Sequence, residues 1–273
     1  MKRILKELRV TSRKVSLKRW SPSATPGCKD KDEAAKRVAR NLERIDEMQY
    51  KLYAEGRRSL LIVIQGMDAA GKDGLIRKVM SAFNPQGCSA HSFKVPTVEE
   101  ASHDFLWRIH KAAPGRGQVM IFNRSHYEDV LVVRVHDLVP KAVWSRRYAM
   151  INEFEEELNV NGTQVLKFFL HISRQEQRER LMARLDDPTK HWKVSEADLT
   201  ERAHWADYQR AFEDALSKCS TKKSPWYVVP SNHKWYRDLV VSEIVADALE
   251  HMNPKSPKVE IDVKRLKAKL ARS

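Results

Sequence analysis

Apolar residues along the chain fall into two patterns that alternate from one end to the other. Short runs at 60–64, 118–122, 164–172 and 225–230, with a weaker one at 88–95, predict strands, the strongest of them buried on both faces. Between them hydrophobic residues recur every three or four positions, which predicts helices. The first, 32–55, carries Leu42, Ile45, Met48 and Leu52 and stops at Gly56, a residue suited to the position just past a helix. Others begin at Gly71 with Leu75, Ile76 and Val79, begin at Thr97 with Phe105, Leu106, Trp107 and Ile109, and span 140–158, 195–217 and 233–251. Thr97 and Ser173 each stand three residues before a glutamate, the spacing of a capping box. Strands alternating with helices imply a parallel sheet covered on both faces.

The first strand ends in a glycine loop that leads straight into a helix. Gly66-Met67-Asp68-Ala69-Ala70-Gly71-Lys72-Asp73 fits the phosphate-binding template G-x-x-x-x-G-K, except that Asp73 stands where Ser or Thr is usual. Glycines let the backbone curl so that its N–H groups, aided by the helix dipole, face an anion, and Lys72 adds a positive charge. Asp68 is the odd residue. A carboxylate touching a phosphate there would be repelled by about 4 kcal/mol at an effective dielectric near 20. A divalent cation held between Asp68 and phosphate oxygens turns that repulsion into coordination.

The third strand delivers a second cluster, Asn123-Arg124-Ser125-His126-Tyr127-Glu128-Asp129, to the carboxyl edge where open α/β sheets bind ligands. In P-loop proteins the acidic residue closing such a strand helps hold the metal. Here that position is the amide Asn123, and carboxylates follow at Glu128 and Asp129. They would also suit the first turn of a helix, but the adjacent Arg124 has a fork matched to phosphate. Beyond the fourth strand Arg174, Arg178, Arg180, Arg184, Lys190 and Lys193 crowd a stretch with little apolar content. Such a run is ordinarily a solvated face. After a sheet strand in a phosphate-loop chain it reads instead as a lid over phosphates, with Asp186-Asp187-Pro188 as tip or hinge. The expected fold is α/β, a P-loop kinase-like three-layer sandwich with a central parallel five-stranded sheet and a helical lid.

Composition narrows the partners. The 273 residues carry a formal net charge of +14, which calls for a polyanion: nucleic acid, a membrane surface or a phosphate polymer. No recognition motif for nucleic acid is present, and no apolar run approaches membrane length or forms a signal peptide. The three cysteines lack paired or metal-ligand spacing, so free thiols and a cytoplasmic setting are expected. Residues 1–31 form a basic arm, 32–252 the phosphotransferase domain with its lid at about 174–200, and 253–273 a basic, partly disordered tail with a short helix near 263–270.

GMDAAGKDG, FLWRIH, IFNRSHYEDVLVVRV, LKFFLHIS, QRERL, DDPTKHWK and SPWYVV together resemble the polyphosphate kinase 2 family, over nearly the whole chain apart from both termini. The resemblance implies phosphoryl transfer between inorganic polyphosphate and adenine nucleotides, guanine nucleotides being a further candidate. It also implies Mg²⁺, with Mn²⁺ as an alternative, no covalent intermediate, and a homo-oligomer, dimer or tetramer. Asp68 and Lys72 match the family's loop residues, Arg124 its arginine after the third strand, Arg178 and Arg180 its lid arginines, and Lys190 and Lys193 basic residues near the lid's end. Many members have aspartate at the Asn123 position and asparagine at the Glu128 position. The exchange resembles the class III branch, whose members use both AMP and ADP. Asp68, Lys72, Arg124, Glu128 and Asp129 are thus the expected catalytic set, with Asp68 and Glu128 on the metal. Gly66, Ala69, Ala70, Gly71, Lys72, Asp73, Arg124, Arg178, Arg180, Lys190 and Lys193 are expected on phosphate, and Asp68, Asn123, Glu128, Asp129 and Arg134 on the nucleotide. An ATP-dependent nucleotide kinase of the same design is the rival expectation, and a basic nucleic-acid-binding protein a remote one.

Overall fold

The computed structural model describes residues 6–258 and 260–273. Five strands, β1 (Ser59–Gly66), β2 (Cys88–Ser92), β3 (Val119–Asn123), β4 (Thr163–His171) and β5 (Trp226–Pro230), form one sheet in the order β2-β3-β1-β4-β5. All four pairings are parallel, as the alternation requires. β1 lies at the centre because Leu60 to Ile64 are apolar on both faces and nothing but flanking strands and helix layers can cover them. The registers bring Ile64 opposite Asn123 and Gly66 opposite Leu170, so the ends of β1, β3 and β4 open onto one edge.

One face of the sheet is covered by α1 (Lys31–Glu55), α2 (Lys72–Met80) and α10 (Lys234–Met252), with α10 packed on both of the others and on β5. Asp30 caps α1 by accepting from the amides of Asp32 and Glu33, and Gly56 closes it at φ 62°. The other face holds α6 (Lys141–Val160) and α9 (Trp205–Lys218), with the short α5 (Val132–Val135) touching both and Phe212 of α9 against Phe169 of β4 at 4.3 Å. Cys28, Cys88 and Cys219 are all unpaired and buried. Among the described residues no helix is long and apolar enough to cross a membrane.

The structure departs from the expected elements in four places. β2 ends at Ser92, short of the 88–95 expected. The helix expected from Thr97 is two pieces, α3 (Val98–Ala101) and α4 (Trp107–Ala112). Ser102 Oγ bonds back to the Glu99 carbonyl and Asp104 Oδ1 takes the Leu106 N–H, so polar side chains compete with the helix ladder between them. The expected 195–217 helix breaks at His204 into α8 (Glu196–Ala203) and α9, and across the bend Tyr208 donates to Glu201 at 2.6 Å. The basic arm does more than lie on the surface: Leu8, Val10, Val15 and Leu17 join the core. Val10 N–H bonds the Trp226 carbonyl and Arg9 bridges antiparallel to Tyr227, which blunts the free edge of β5. Lys2 and Arg3 of the arm lie outside the described residues.

The arginine-rich segment is α7 (Arg174–Leu185), a tight turn at Pro188–Lys193, and α8. Only Gln177 and Leu181 of α7 are buried, as its composition requires. The tail ends in α11 (Val263–Leu270).

Candidate active site

The phosphate-loop geometry follows from two glycines. A Cβ on Gly66 would meet the Leu170 carbonyl oxygen at 2.9 Å, so only glycine lets β4 run this close. Gly71, at φ 98°, turns the chain into α2, leaving the first amides of that helix without intrahelical acceptors. Lys72 folds back, donating to the carbonyls of Gly66 at 2.8 Å and Met67 at 3.3 Å. Its pKa is lowered, chiefly by burial, with the Asp68 carboxylate acting in the opposite sense.

Arg124, just past β3, sits at φ 63°, an uncommon conformation for a residue with a long side chain, and its N–H is held by the Ile64 carbonyl. That turn aims its guanidinium at Asp68 Oδ1, 2.9 Å away. Burial works against the charge on Arg124, but Glu128 and Asp68 outweigh it and the pKa rises. Glu128 lies on the short turn His126–Val130, where burial raises its pKa while Arg124 and Lys72 pull it down and Gln65 hydrogen-bonds it. Asp68, Lys72, Arg124 and Glu128 therefore form one electrostatic unit of two carboxylates and two cations. Asp73 accepts from Asn123 Nδ2 at 2.9 Å and faces Lys193 Nζ at 3.8 Å.

A cavity of about 1170 Å³ opens over this loop. Asp68, Ala69, Gly71, Lys72, Asp73, Asn123, Arg124, Arg180, Lys190 and Lys193 line it, as the sequence led us to expect, with Glu128 adjoining beneath. Gly66 and the fully buried Ala70 belong to the loop but not to the cavity wall, and three further expected residues are elsewhere. Asp129 turns to Arg147 at 3.0 Å and Arg108 at 4.0 Å, and burial raises its pKa to about 6. Arg134 donates to Asp214 at 2.6 Å and lies over the Trp144 ring, tying α6 to α9. Arg178 is exposed beside Arg174 and Arg202 rather than on the cavity wall. The reason is helical phase: Arg180 and Arg184 share the face of α7 that meets the loop, and Arg178 lies off it.

The wall also carries Arg77, Lys78, Lys94, Lys234 and Arg237, none of them singled out from sequence. The signal for the last two was available, since residues just beyond β5 must reach the same carboxyl edge as those beyond β1 and β3. Trp192, also on the wall, is 79% exposed. Among the described residues no three His, Cys, Asp or Glu side chains gather into a metal site.

A parallel 2-3-1-4-5 sheet, a glycine loop on its central strand and a strongly cationic cavity at the carboxyl edge define a P-loop phosphotransferase. Residues 28–257 match the polyphosphate kinase 2 family, and the chain belongs to it. It is similar to an AMP/ADP-polyphosphate phosphotransferase of Meiothermus ruber, 49% identical over 89% of this chain and 92% of that one. An ADP-polyphosphate phosphotransferase of Rhodopseudomonas palustris is 44% identical over 94% and 93% of the two chains. The crystal structure of polyphosphate kinase 2 from Arthrobacter aurescens TC1 superposes with a TM-score of 0.94 at 46% identity, covering 97% of this chain and 95% of that one. This chain is accordingly an enzyme, a polyphosphate kinase 2.

Proposed function

We propose that the protein moves the terminal phosphate of inorganic polyphosphate to AMP and to ADP, reversibly, in a single in-line step. The observation that carries this reading is the pairing of Asp68 with Arg124 beside Lys72 at the mouth of a cavity lined by many cations. A polymer with about one negative charge per phosphate needs such a wall along its length, by the counterion reasoning that applies to nucleic acids. A phosphate oxygen of the acceptor attacks the terminal phosphorus, and the P–O bond to the shortened chain breaks. Lys72 and Arg124 offset the charge on the transferring group, and the first amides of α2 orient it.

Asp68 and Glu128 fit a magnesium site, or a manganese one. Two carboxylates suffice when phosphates and water complete the shell, and Glu128 is held in a poorly solvated position where a cation would compensate its charge. The ion would supply neutralisation and orientation of phosphate oxygens. The Glu128–Asn123 exchange supports use of AMP as well as ADP, on the likeness to the class III branch. The cytoplasm as its setting rests on the three unpaired cysteines, and dimeric or tetrameric assembly on the family resemblance.

Purified protein supplied with AMP, polyphosphate and Mg²⁺ should accumulate ADP and then ATP, followed by chromatography. Lys72→Ala should abolish both products, and a chelator should stop turnover until the divalent ion is restored. Turnover with ATP as sole donor to AMP-like acceptors, and none with polyphosphate, would replace this reading with an ordinary nucleotide kinase.

A further inference from the structure

The phosphate loop has an amide side and a carbonyl side, and the carbonyl side is fully occupied. Its six carbonyls from Gly66 to Gly71 each accept a side-chain hydrogen bond. Lys72 takes Gly66 and Met67. Gln177 Nε2 takes Asp68 at 3.0 Å, Arg180 takes Ala69 and Ala70 at 2.9 Å each, and Arg237 takes Gly71 at 3.0 Å.

Arg180 was expected to cover polyphosphate. An arginine has five N–H donors. Those of Arg180 go to Glu176 from Nε at 2.7 Å, to Ala69 and Ala70, and to the carbonyls of Ser231 at 2.5 Å and Asn232 at 3.0 Å. Every donor is spent on protein, and one guanidinium ties the loop to the turn after β5. Gln177 is engaged at both ends of its amide: it is 1% exposed, its oxygen accepts from Arg202 of α8 at 2.7 Å, and its nitrogen holds Asp68. Arg237 approaches so closely that a Cβ on Gly71 would collide with its guanidinium.

We propose that Gln177, Arg180 and Arg237 are positioning residues: they hold the loop by its carbonyls, so that its amides and the Asp68 carboxylate face the transferring phosphate. The physical reason is geometric. In a peptide the N–H and C=O point in opposite directions, so fixing the carbonyls on one side fixes the donors on the other. The first turns of α7 are then a brace rather than a moving cover. Covering the ligand falls to the turn at Pro188–Lys193, where Lys190 is exposed and paired with Asp187 at 2.5 Å and Lys193 is half-buried, 3.8 Å from Asp73. The proposal rests on the loop binding phosphate and not on which donor supplies it.

The test is steady-state kinetics on Arg180→Lys and Gln177→Leu, with whichever phosphoryl donor the wild-type protein accepts. A wrong donor assignment therefore shows in the wild type, and a wrong brace only in the variants. Lysine binds phosphate well as a point charge but cannot span four carbonyls. The brace predicts that Arg180→Lys lowers kcat by about 100-fold, the scale of a 1 Å misplacement, with KM for the donor within about threefold. Gln177 carries no charge and reaches no phosphate, yet Gln177→Leu should lower kcat by about 10-fold or more, without moving the salt dependence of donor binding. Both variants are assayed well below their measured unfolding temperatures, and if one does not fold the other decides. An Arg180→Lys protein with near-normal kcat, or a loss confined to donor KM, overturns the proposal. So does a Gln177→Leu protein that melts earlier but turns over at the wild-type rate.

Discussion

Beneath the Glu128 turn lies a buried charge network whose removal should be felt in stability. Lys167 on β4 and Glu155 on α6 are 0% and 1% exposed, and their charged atoms meet at 2.5 Å. Lys167 also donates to Tyr127 Oη at 2.9 Å and to the Cys219 carbonyl at 2.5 Å, while Glu155 accepts from Tyr127 at 2.8 Å and contacts His126 Nε2 at 3.3 Å. Lys167→Met keeps much of the length of the side chain and deletes its charge. Glu155 is then an uncompensated buried carboxylate, which costs about 3–5 kcal/mol. The orphaned Cys219 carbonyl pushes the value towards the upper half of that range. With an m-value near 3 kcal/mol/M, the urea midpoint should fall by about 1–2 M, read by tryptophan fluorescence. Trp226, whose ring is 4.7 Å from Tyr127, reports directly on the site. Adding Glu155→Leu removes the stranded charge, so the double variant should be more stable than the single one. Burial opposes ionisation of Glu155, but Lys167 and His126 outweigh it and its pKa falls below 4.5. The pair's contribution is therefore complete above pH 4.5 and fades as pH drops through the folded value. A single-variant loss under about 1 kcal/mol, or a double variant weaker than the single, would refute the reasoning.

Three further expectations concern the site. Glu128→Asn should slow transfer to AMP more than to ADP, measured as initial rates with each acceptor; equal losses would remove that role from Glu128. Asp129, with its pKa raised from 3.8 to about 6 by burial, is stabilising in its protonated form, so its contribution is lost as pH rises from about 4 through 6. Asp129→Asn should flatten the stability profile across that window in urea titrations, and an unchanged slope would count against the assignment. Gly71→Ala should destabilise by about 1–2 kcal/mol from left-handed backbone strain alone, and more through displacement of Arg237. Calorimetry and donor KM together read that effect, and a variant with wild-type values for both would contradict it.

Local chemistry made much of this legible from the chain alone. Apolar runs short enough only for strands, set between 3.6-residue periodicities, specify a parallel sheet, and a glycine-lysine loop after the central strand specifies an anion site. Asp68, Lys72 and Arg124 could be placed at the cavity this way because the motif, the strand end and the side chain lie within a few residues of one another. What needed the folded molecule is the direction of side chains whose partners are distant in sequence. Arg178 and Arg180 are two residues apart in one charge run, yet a helix separates them by about 200° in azimuth, and only one meets the loop. The partners of Arg134 and Asp129, Asp214 and Arg147, could likewise not be read from the local sequence. Arg237, 166 positions after Gly71, reaches its carbonyl because α10 packs on α2. A sequence encodes which groups can bind phosphate; which of them are already taken by the protein's own carbonyls and carboxylates is a property of packing, and no local pattern carries it.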